Sequence, residues 1–306
     1  MENRHAYCII AHQDPTMLRV MAAMLDHPLN DIYIHIDRKV DITPFLDIET
    51  KYSTVNFLPE RIKVEWGGTS QIDVELLIFE YALNHGNYSY FHMMSGQDLP
   101  LHSQDYIHDF IDNKHPGCEF VTVNNEYESD LRDLEYKTRY YHFFVKNLSD
   151  SDHSFSHYWH YYLHALAIKV QRLVGVRRHY PFPLKKSLHF VSVTKAFVTY
   201  LLSKKDLIKR TFVHTLCADE IFLQSILWNS DFRGKLYSPP SPKCVGSMRK
   251  ILWVNHKAHI WNIDDYDSLV SSEDLFALKF TSDDKSLLLK LAQHNGSYEA
   301  VKAIID

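Results

Sequence analysis

Glycine is scarce in this chain, nine residues in 306, and none of them forms G-x-G-x-x-G or the phosphate loop G-x-x-x-x-G-K-[ST]. Dinucleotide sites of the Rossmann type and P-loop sites therefore have no support, because both need glycines where backbone approaches phosphate. Cysteine is equally sparse: Cys8, Cys118, Cys217 and Cys244 stand far apart, with no C-x-x-C pair and no zinc-ligand spacing. The segment from Met1 to His12 lacks the apolar core and small-residue cleavage site of an export signal, so reduced thiols and a cytoplasmic location are expected. No run approaches the roughly 20 apolar residues that a membrane-spanning helix requires. Positive charge is in slight deficit, 33 Lys and Arg against 38 Asp and Glu for a net charge of -5, which argues against a nucleic-acid partner.

What is present is a folding composition: 45% hydrophobic and 23% charged residues over a length that can bury a full core without staples. The first 125 residues or so alternate strand-like and helix-like segments, which predicts an α/β fold with a mainly parallel central sheet. Candidate strands are Ala6 to Ala11, Asp31 to Ile36, Ile62 to Glu65, Tyr88 to Met94 and Glu119 to Val123. Between the third and fourth, Ser70-Gln-Ile-Asp73 has the form of a capping box and Gly86 that of a C-cap, which predicts a helix from 70 to 86. Loops after the carboxyl ends of such strands form the ligand crevice. His12, Asp37 and Ser95-Gly96-Gln97-Asp98 all follow strand ends.

The remainder reads as part of the same single domain, 1–306, with a nucleotide-binding half to about residue 125 and an acceptor and catalytic half beyond. From His153 to Lys205 the chain has no acid, while Lys169, Arg172, Arg177, Arg178, Lys185 and Lys186 are cationic. Tyr158 to Val174 is predicted to be a helix, suited either to an anionic membrane surface or to packing in the core. Ala218 to Trp228 reads as another helix, with Asp219 and Glu220 in its first turn; one reading is a general base, the other ordinary acidic decoration. Arg249 and Lys279 stand beside apolar anchors and could neutralise a diphosphate, or be a surface Arg and a snorkelling Lys. Two Asp-x-Asp triplets, Asp150-Ser-Asp152 and Asp265-Tyr-Asp267, do not follow apolar strands, so no metal site is expected. His157, His160 and His164 share helical spacing in an aromatic context that favours packing.

Read together, Tyr7-Cys-Ile-Ile-Ala-His12, Ile34-His-Ile-Asp-Arg-Lys39, Val64-Glu-Trp-Gly-Gly-Thr-Ser70, Tyr90 to Pro100, Ala218-Asp-Glu220 and Leu275-Phe-Ala-Leu-Lys-Phe280 resemble the core-2/I-branching enzyme family, glycosyltransferase family 14. The family includes β-1,6-N-acetylglucosaminyltransferases and peptide O-xylosyltransferases. The resemblance implies a GT-A fold, a UDP-sugar donor, inversion to a β-linkage and no metal or other cofactor. It assigns His12 and Asp37 to the uridine, Glu220 to the catalytic base and Lys279 to the diphosphate. Arg249 and Lys257 compete as the partner cation. Ser95, Gly96, Asp98 and Asp219 are expected to face the donor sugar or the acceptor. Leu278 stands where relatives usually carry Arg or Asn. Luminal animal members have an anchor and several disulfides, so this chain resembles a compact bacterial member. The implied function is transfer of N-acetylglucosamine to a glycan or lipid-linked saccharide in surface polysaccharide synthesis, peripheral to the inner membrane face. UDP-xylose or UDP-glucose use, and non-catalytic binding of a UDP-sugar or a membrane surface, are the competing readings.

Overall fold

Alternation in the first strand, β1 (His5–Ala11), sets the plan: Tyr7, Ile9 and Ala11 join one hydrophobic cluster, Ala6 and Cys8 another. Successive side chains of a strand point to opposite faces, so a strand apolar from Ala6 to Ala11 must be covered on both sides. The computed structural model describes residues 3–123, 128–145, 155–240, 245–255 and 257–306. Beside β1 lie β2 (Asn30–Ile36) and the edge strand β3 (Thr54–Phe57). On its other side β4 (Tyr90–Ser95) turns tightly into β5 (Asp98–Pro100), and β6 (Ser192–Thr194) closes the sheet. The order is β3-β2-β1-β4-β6, parallel except for β6. The mixed α/β class with a mainly parallel sheet is the one observed.

The α-helices among the described residues are α1 (Pro15–Leu25), α2 (Ser70–His85), α3 (Gln104–His108), α4 (Glu128–Arg139), α5 (Phe155–Leu173), α6 (Lys195–Ser203), α7 (Lys205–Phe212), α8 (Phe222–Trp228), α9 (Tyr266–Val270), α10 (Lys285–Asn295) and α11 (Tyr298–Ile305). Helix α1 begins where Asp14 Oδ1 accepts from Met17 N at 3.0 Å ahead of Pro15. It is buried along most of its length because the sheet lies on one side and α10 and α11 on the other. Helices α2, α6 and α8 cover the opposite face. A second sheet, β5 antiparallel to β10 (Phe276–Leu278), which runs parallel to β7 (Arg249–Lys250), brings the chain's last third back to the end of β4. The hairpin of β8 (Trp253–Val254) and β9 (Lys257–Ala258) projects from it.

Three expectations change. Ile62 to Glu65 is not a strand: its backbone is satisfied by loop and side-chain partners, Ile62 N donating to His35 Nε2 and Glu65 N to Ser70 Oγ, each at 2.8 Å. Glu119 to Val123 forms only isolated bridges, from Glu119 to Leu236 and from Phe120 to Ser192. Helix α2 has nearly the expected bounds but not the expected caps. Ser70 binds Glu65 instead of closing a box, and Gly86 has φ -158°, an extended conformation open to any residue.

Candidate active site

Where strand order reverses in an open sheet, neighbouring loops part and leave a crevice at the strands' carboxyl ends. The reversal here falls between β1 and β4, since β2 and β4 flank β1 on opposite sides. A cleft of about 580 Å³ occupies that place, lined by His12 after β1, Asp37 and Lys39 after β2, and Ser95 at the end of β4. Its size is that of a small-molecule site. Asp37 N donates to Ala11 O at 2.9 Å, and Arg61 donates to Ile36 O at 3.0 Å and to Asp37 O at 2.8 Å, which braces the two loops. The buried Asp37 carboxylate accepts from Lys39 N at 2.8 Å and lies 3.5 Å from the Lys39 ammonium. Burial lowers the His12 imidazole from its ordinary value, Asp37 opposing and Lys279 and Lys39 reinforcing. A neutral ring of this kind can both accept and donate. Gly96 N donates to Ile10 O at 3.0 Å, and a Cβ there would stand 2.7 Å from the Ala11 Cβ. Only glycine lets the turn after β4 close onto β1.

That turn also fixes the cationic end. Gln97 Nε2 donates to Phe280 O at 3.0 Å and Phe280 N donates to Gln97 O at 2.9 Å. Lys279 is thereby held partly exposed between buried Leu278 and Phe280, and its charge acts on both His12 and Asp98. Ser95 Oγ donates to Asp98, whose fully buried carboxyl is pushed up to about 7 by burial against the pull of Ser95, Arg249 and Lys279. The two candidate partners of Lys279 separate. Arg249 is 2% exposed, donates to Ser247 O at 2.9 Å, Ser192 Oγ at 3.1 Å and Val191 O at 3.3 Å, and lies 4.1 Å over the Phe276 ring. Its guanidinium is a buried brace joining β7 to β6 and β10. Lys257 is exposed on β9, and two residues on, His259 O accepts from Lys279 N at 3.3 Å, so the two lysines stand on adjacent backbone.

The carboxylates lie in a three-residue 3₁₀ turn, Ala218–Glu220, entered through Cys217 at φ 45°. The expected helix to Trp228 is interrupted at Ile221, so both acids precede α8, and a helix dipole does not account for them. Their partners differ. Glu220 Oε2 accepts from Lys137 Nζ at 2.6 Å, with Lys186 Nζ 3.7 Å away. Asp133 ties both lysines, at 2.9 Å and 2.5 Å. Asp219, 3% exposed, accepts from Gln71 Nε2 at 3.1 Å and lies 3.4 Å from His189 Nδ1. Burial pushes its carboxyl up to about 7, and Glu220 adds to the rise.

Gln71, Glu75, His189 and Lys137 were not singled out by the sequence. Glu75 carried a signal, an acid set among Ile72, Leu76 and Phe79 on the buried face of α2. Lys137 carried none, because acid-rich α4 spaces its charges as a solvated helix does. Asp150 and Asp152 lie outside the described residues. Asp265 accepts from His259 Nε2 at 2.8 Å and from Asn262 N at 3.0 Å, a capping role. His164 packs inward, donating to Phe143 O at 2.8 Å and stacking on His142. Two clusters among the described residues have the spacing to hold a metal ion, Glu75, His189 and Asp219 at the cleft, and His5, His108 and Asp112 at the amino end of β1. Cys8, Cys118 and Cys217 are free thiols.

The family model for the core-2/I-branching enzyme matches residues 5–261. No curated protein sequence matches the chain. Among solved structures, mouse xyloside xylosyltransferase 1 in its apo form is similar at 10% identity, over 90% of this chain and 97% of that one, with a TM-score of 0.38. That superposition is too loose to build on. The family match spans β1, the crevice loops and the 218–220 turn, and on it the chain belongs to the core-2/I-branching enzyme family of glycosyltransferases.

Proposed function

We propose that this glycosyltransferase moves N-acetylglucosamine from a UDP-linked donor to a hydroxyl of a glycan or lipid-linked saccharide, with inversion to a β-linkage. The observation that supports it is the meeting at one crevice of His12, Asp37 and Ser95 from three strand ends, with Lys279 returned beside them by the second sheet. In this reading His12 and Asp37 take the uridine, and Lys279 and Lys257 take the diphosphate. The family match ends before Lys279, so geometry alone supports its role. Glu220 removes the proton as the acceptor oxygen bonds to the anomeric carbon. The bond from that carbon to the diphosphate oxygen breaks, and its electron pair leaves with UDP. Side-chain cations meet the charge that develops on the leaving group, with no metal in the reading. Turnover of a UDP-sugar panel with saccharide acceptors tests it: product with an α-linkage, or no UDP release with any donor, overturns it. UDP-xylose and UDP-glucose are the competing donors in that panel.

The reading extends to surface polysaccharide synthesis at the inner face of the cytoplasmic membrane. No helix among the described residues is long and apolar enough to cross a membrane. Helix α5 turns His164, Ile168 and Gln171 inward and exposes Tyr161 at 62%, Tyr162 at 58% and Leu173 at 78%, beside exposed Lys169 and Arg172. Amphipathic aromatic tips, aliphatic side chains and cations without acids suit an anionic headgroup layer. Other cations of the acid-free stretch are engaged by the protein itself. Arg178 donates to His214 O and Thr211 O, Lys186 pairs with Asp133, and Lys205 pairs with Glu80.

A further inference from the structure

Glu75 lies on α2 with 1% of its surface exposed, among Ile72, Leu76 and Phe79, and its Oε2 has no hydrogen-bond partner in the protein. An unpartnered carboxyl oxygen at that depth costs the fold stability that an apolar residue of similar size would restore. Yet Glu75 is not in a closed interior, because it lines the cleft together with Gln71 and His189. Asp219 repeats the feature: Oδ2 has Gln71 and His189 as neighbours, while the buried Oδ1 has no partner. Ligand atoms of Glu75, His189 and Asp219 all lie within 4.8 Å of one another. Glu75 lines the cavity itself, and Asp219 stands directly behind Gln71 and His189, which line it too; a ligand that offers several hydroxyls would complete two such oxygens.

We propose that Glu75, His189 and Asp219 form the subsite that grips the sugar ring of the nucleotide donor through its hydroxyl groups. This rests on the donor reading above. The cleft supplies the placement, since the same cavity reaches from His12 and Asp37 to Glu75 and His189. Asp219 directly precedes Glu220, so a sugar held there presents its anomeric carbon near the turn that carries the base. A divalent cation is the rival ligand for these side chains, and two observations favour the sugar. Gln71 already donates an amide hydrogen to Asp219. Burial raises both carboxyls, Asp219 to about 7 and Glu75 well above the carboxylate range. Carboxyls that hold protons near neutral pH can both donate to and accept from a hydroxyl, whereas a cation must first displace the protons.

Calorimetric titration with UDP and with UDP-N-acetylglucosamine, UDP-glucose and UDP-xylose tests the subsite in the wild type, Glu75→Leu and Asp219→Asn. Both variants are expected to bind UDP within about twofold of wild type and to lose roughly tenfold or more in affinity for the preferred UDP-sugar, as broken hydroxyl pairing does. Glu75→Leu is expected to melt no lower than wild type, because it removes a buried unpaired acid, which separates lost recognition from lost fold. UDP-sugar binding that survives both substitutions overturns the subsite and leaves the donor reading standing. A wild type that binds neither UDP nor any UDP-sugar overturns the donor reading and the subsite with it. Binding of Mn²⁺ or Zn²⁺ alone by the wild type, abolished in Glu75→Leu, assigns the cluster to a cation and overturns the sugar.

Discussion

Lys137 Nζ lies 2.6 Å from Glu220 Oε2, joining α4 to the turn that precedes α8. Burial works against the Lys137 ammonium, but Glu220 leads the charges that raise it well above its ordinary value. Asp133 and Lys186 complete a group of two acids and two lysines. A carboxylate held in this way keeps one orientation, while its neighbour Asp219 turns to Gln71 and His189. In the proposed reading the two acids divide the reaction between them, Glu220 on the acceptor side and Asp219 on the donor side.

Glu220→Gln is expected to lower kcat by about 10² or more, the usual worth of a general base, with UDP affinity and melting temperature close to wild type. Lys137→Met is expected to cost less, roughly tenfold, and Lys137→Arg to recover most of it, because the lysine positions the base and does no chemistry itself. Steady-state kinetics with UDP titrations check both. Retention of more than about a tenth of the activity in Glu220→Gln removes Glu220 from the role.

Lys279→Ala is expected to lower kcat more than it raises the donor KM, since the charge on UDP is fullest as the glycosidic bond breaks. Wild-type activity is expected to persist in excess EDTA. Full inactivation by EDTA with recovery in Mn²⁺ would return attention to Asp98, Asp150 and Asp152.

Arg249→Met is expected to act on stability. Loss of the guanidinium leaves Ser247 O, Val191 O and Ser192 Oγ without their buried donor and empties its place over Phe276, at about 1–3 kcal/mol. A lower melting temperature with an unchanged donor KM is the expected result. The reverse pattern would restore Arg249 to the diphosphate.

The strand ends were legible because β1, β2 and β4 are largely buried and rich in apolar and aromatic residues, which placed His12, Asp37 and Ser95 without a structure. Edge strand β3 was not, since Thr54–Phe57 is short and half exposed, whereas Ile62 to Glu65 has strand-like residues on a loop. The burial of Arg249 was not legible because apolar neighbours fit a buried brace as well as a surface anchor. Glu75 lies more than a hundred residues from His189 and from Asp219, and the packing of α2 against the 218–220 turn brings it to them.

Stability should vary with pH through Asp98. Its carboxyl is raised from 3.8 to about 7 in the folded state, so the fold binds the proton between those values and its stability contribution falls as pH rises through that window. His5, His35, His142 and His189 are each lowered to about 4 and act in the opposite sense over much of the same range. They are common to wild type and Asp98→Asn and cancel in the difference. The wild type is expected to gain on the variant as pH falls from about 7 to 5, by a few kcal/mol at most. Parallel melting curves across that interval would show that Asp98 does not hold the proton.

The outward face of α5 gives the last prediction. Vesicles containing anionic lipid are expected to sediment the protein at low salt and to release it as ionic strength rises, whereas neutral vesicles are expected to bind it weakly. Each cation near an anionic surface contributes about 1 kcal/mol, screened within about 10 Å at 0.1 M salt. The apolar tips add a part that salt does not remove. Replacing Lys169 and Arg172 by Ser should therefore abolish the preference for anionic lipid, and replacing Tyr161, Tyr162 and Leu173 by Ser should weaken binding at every salt concentration. Arg178→Ser is expected to lower stability instead, because its guanidinium holds His214 and Thr211 from within. Equal sedimentation with anionic and neutral vesicles, or no effect of either set of replacements, would remove α5 from the membrane surface.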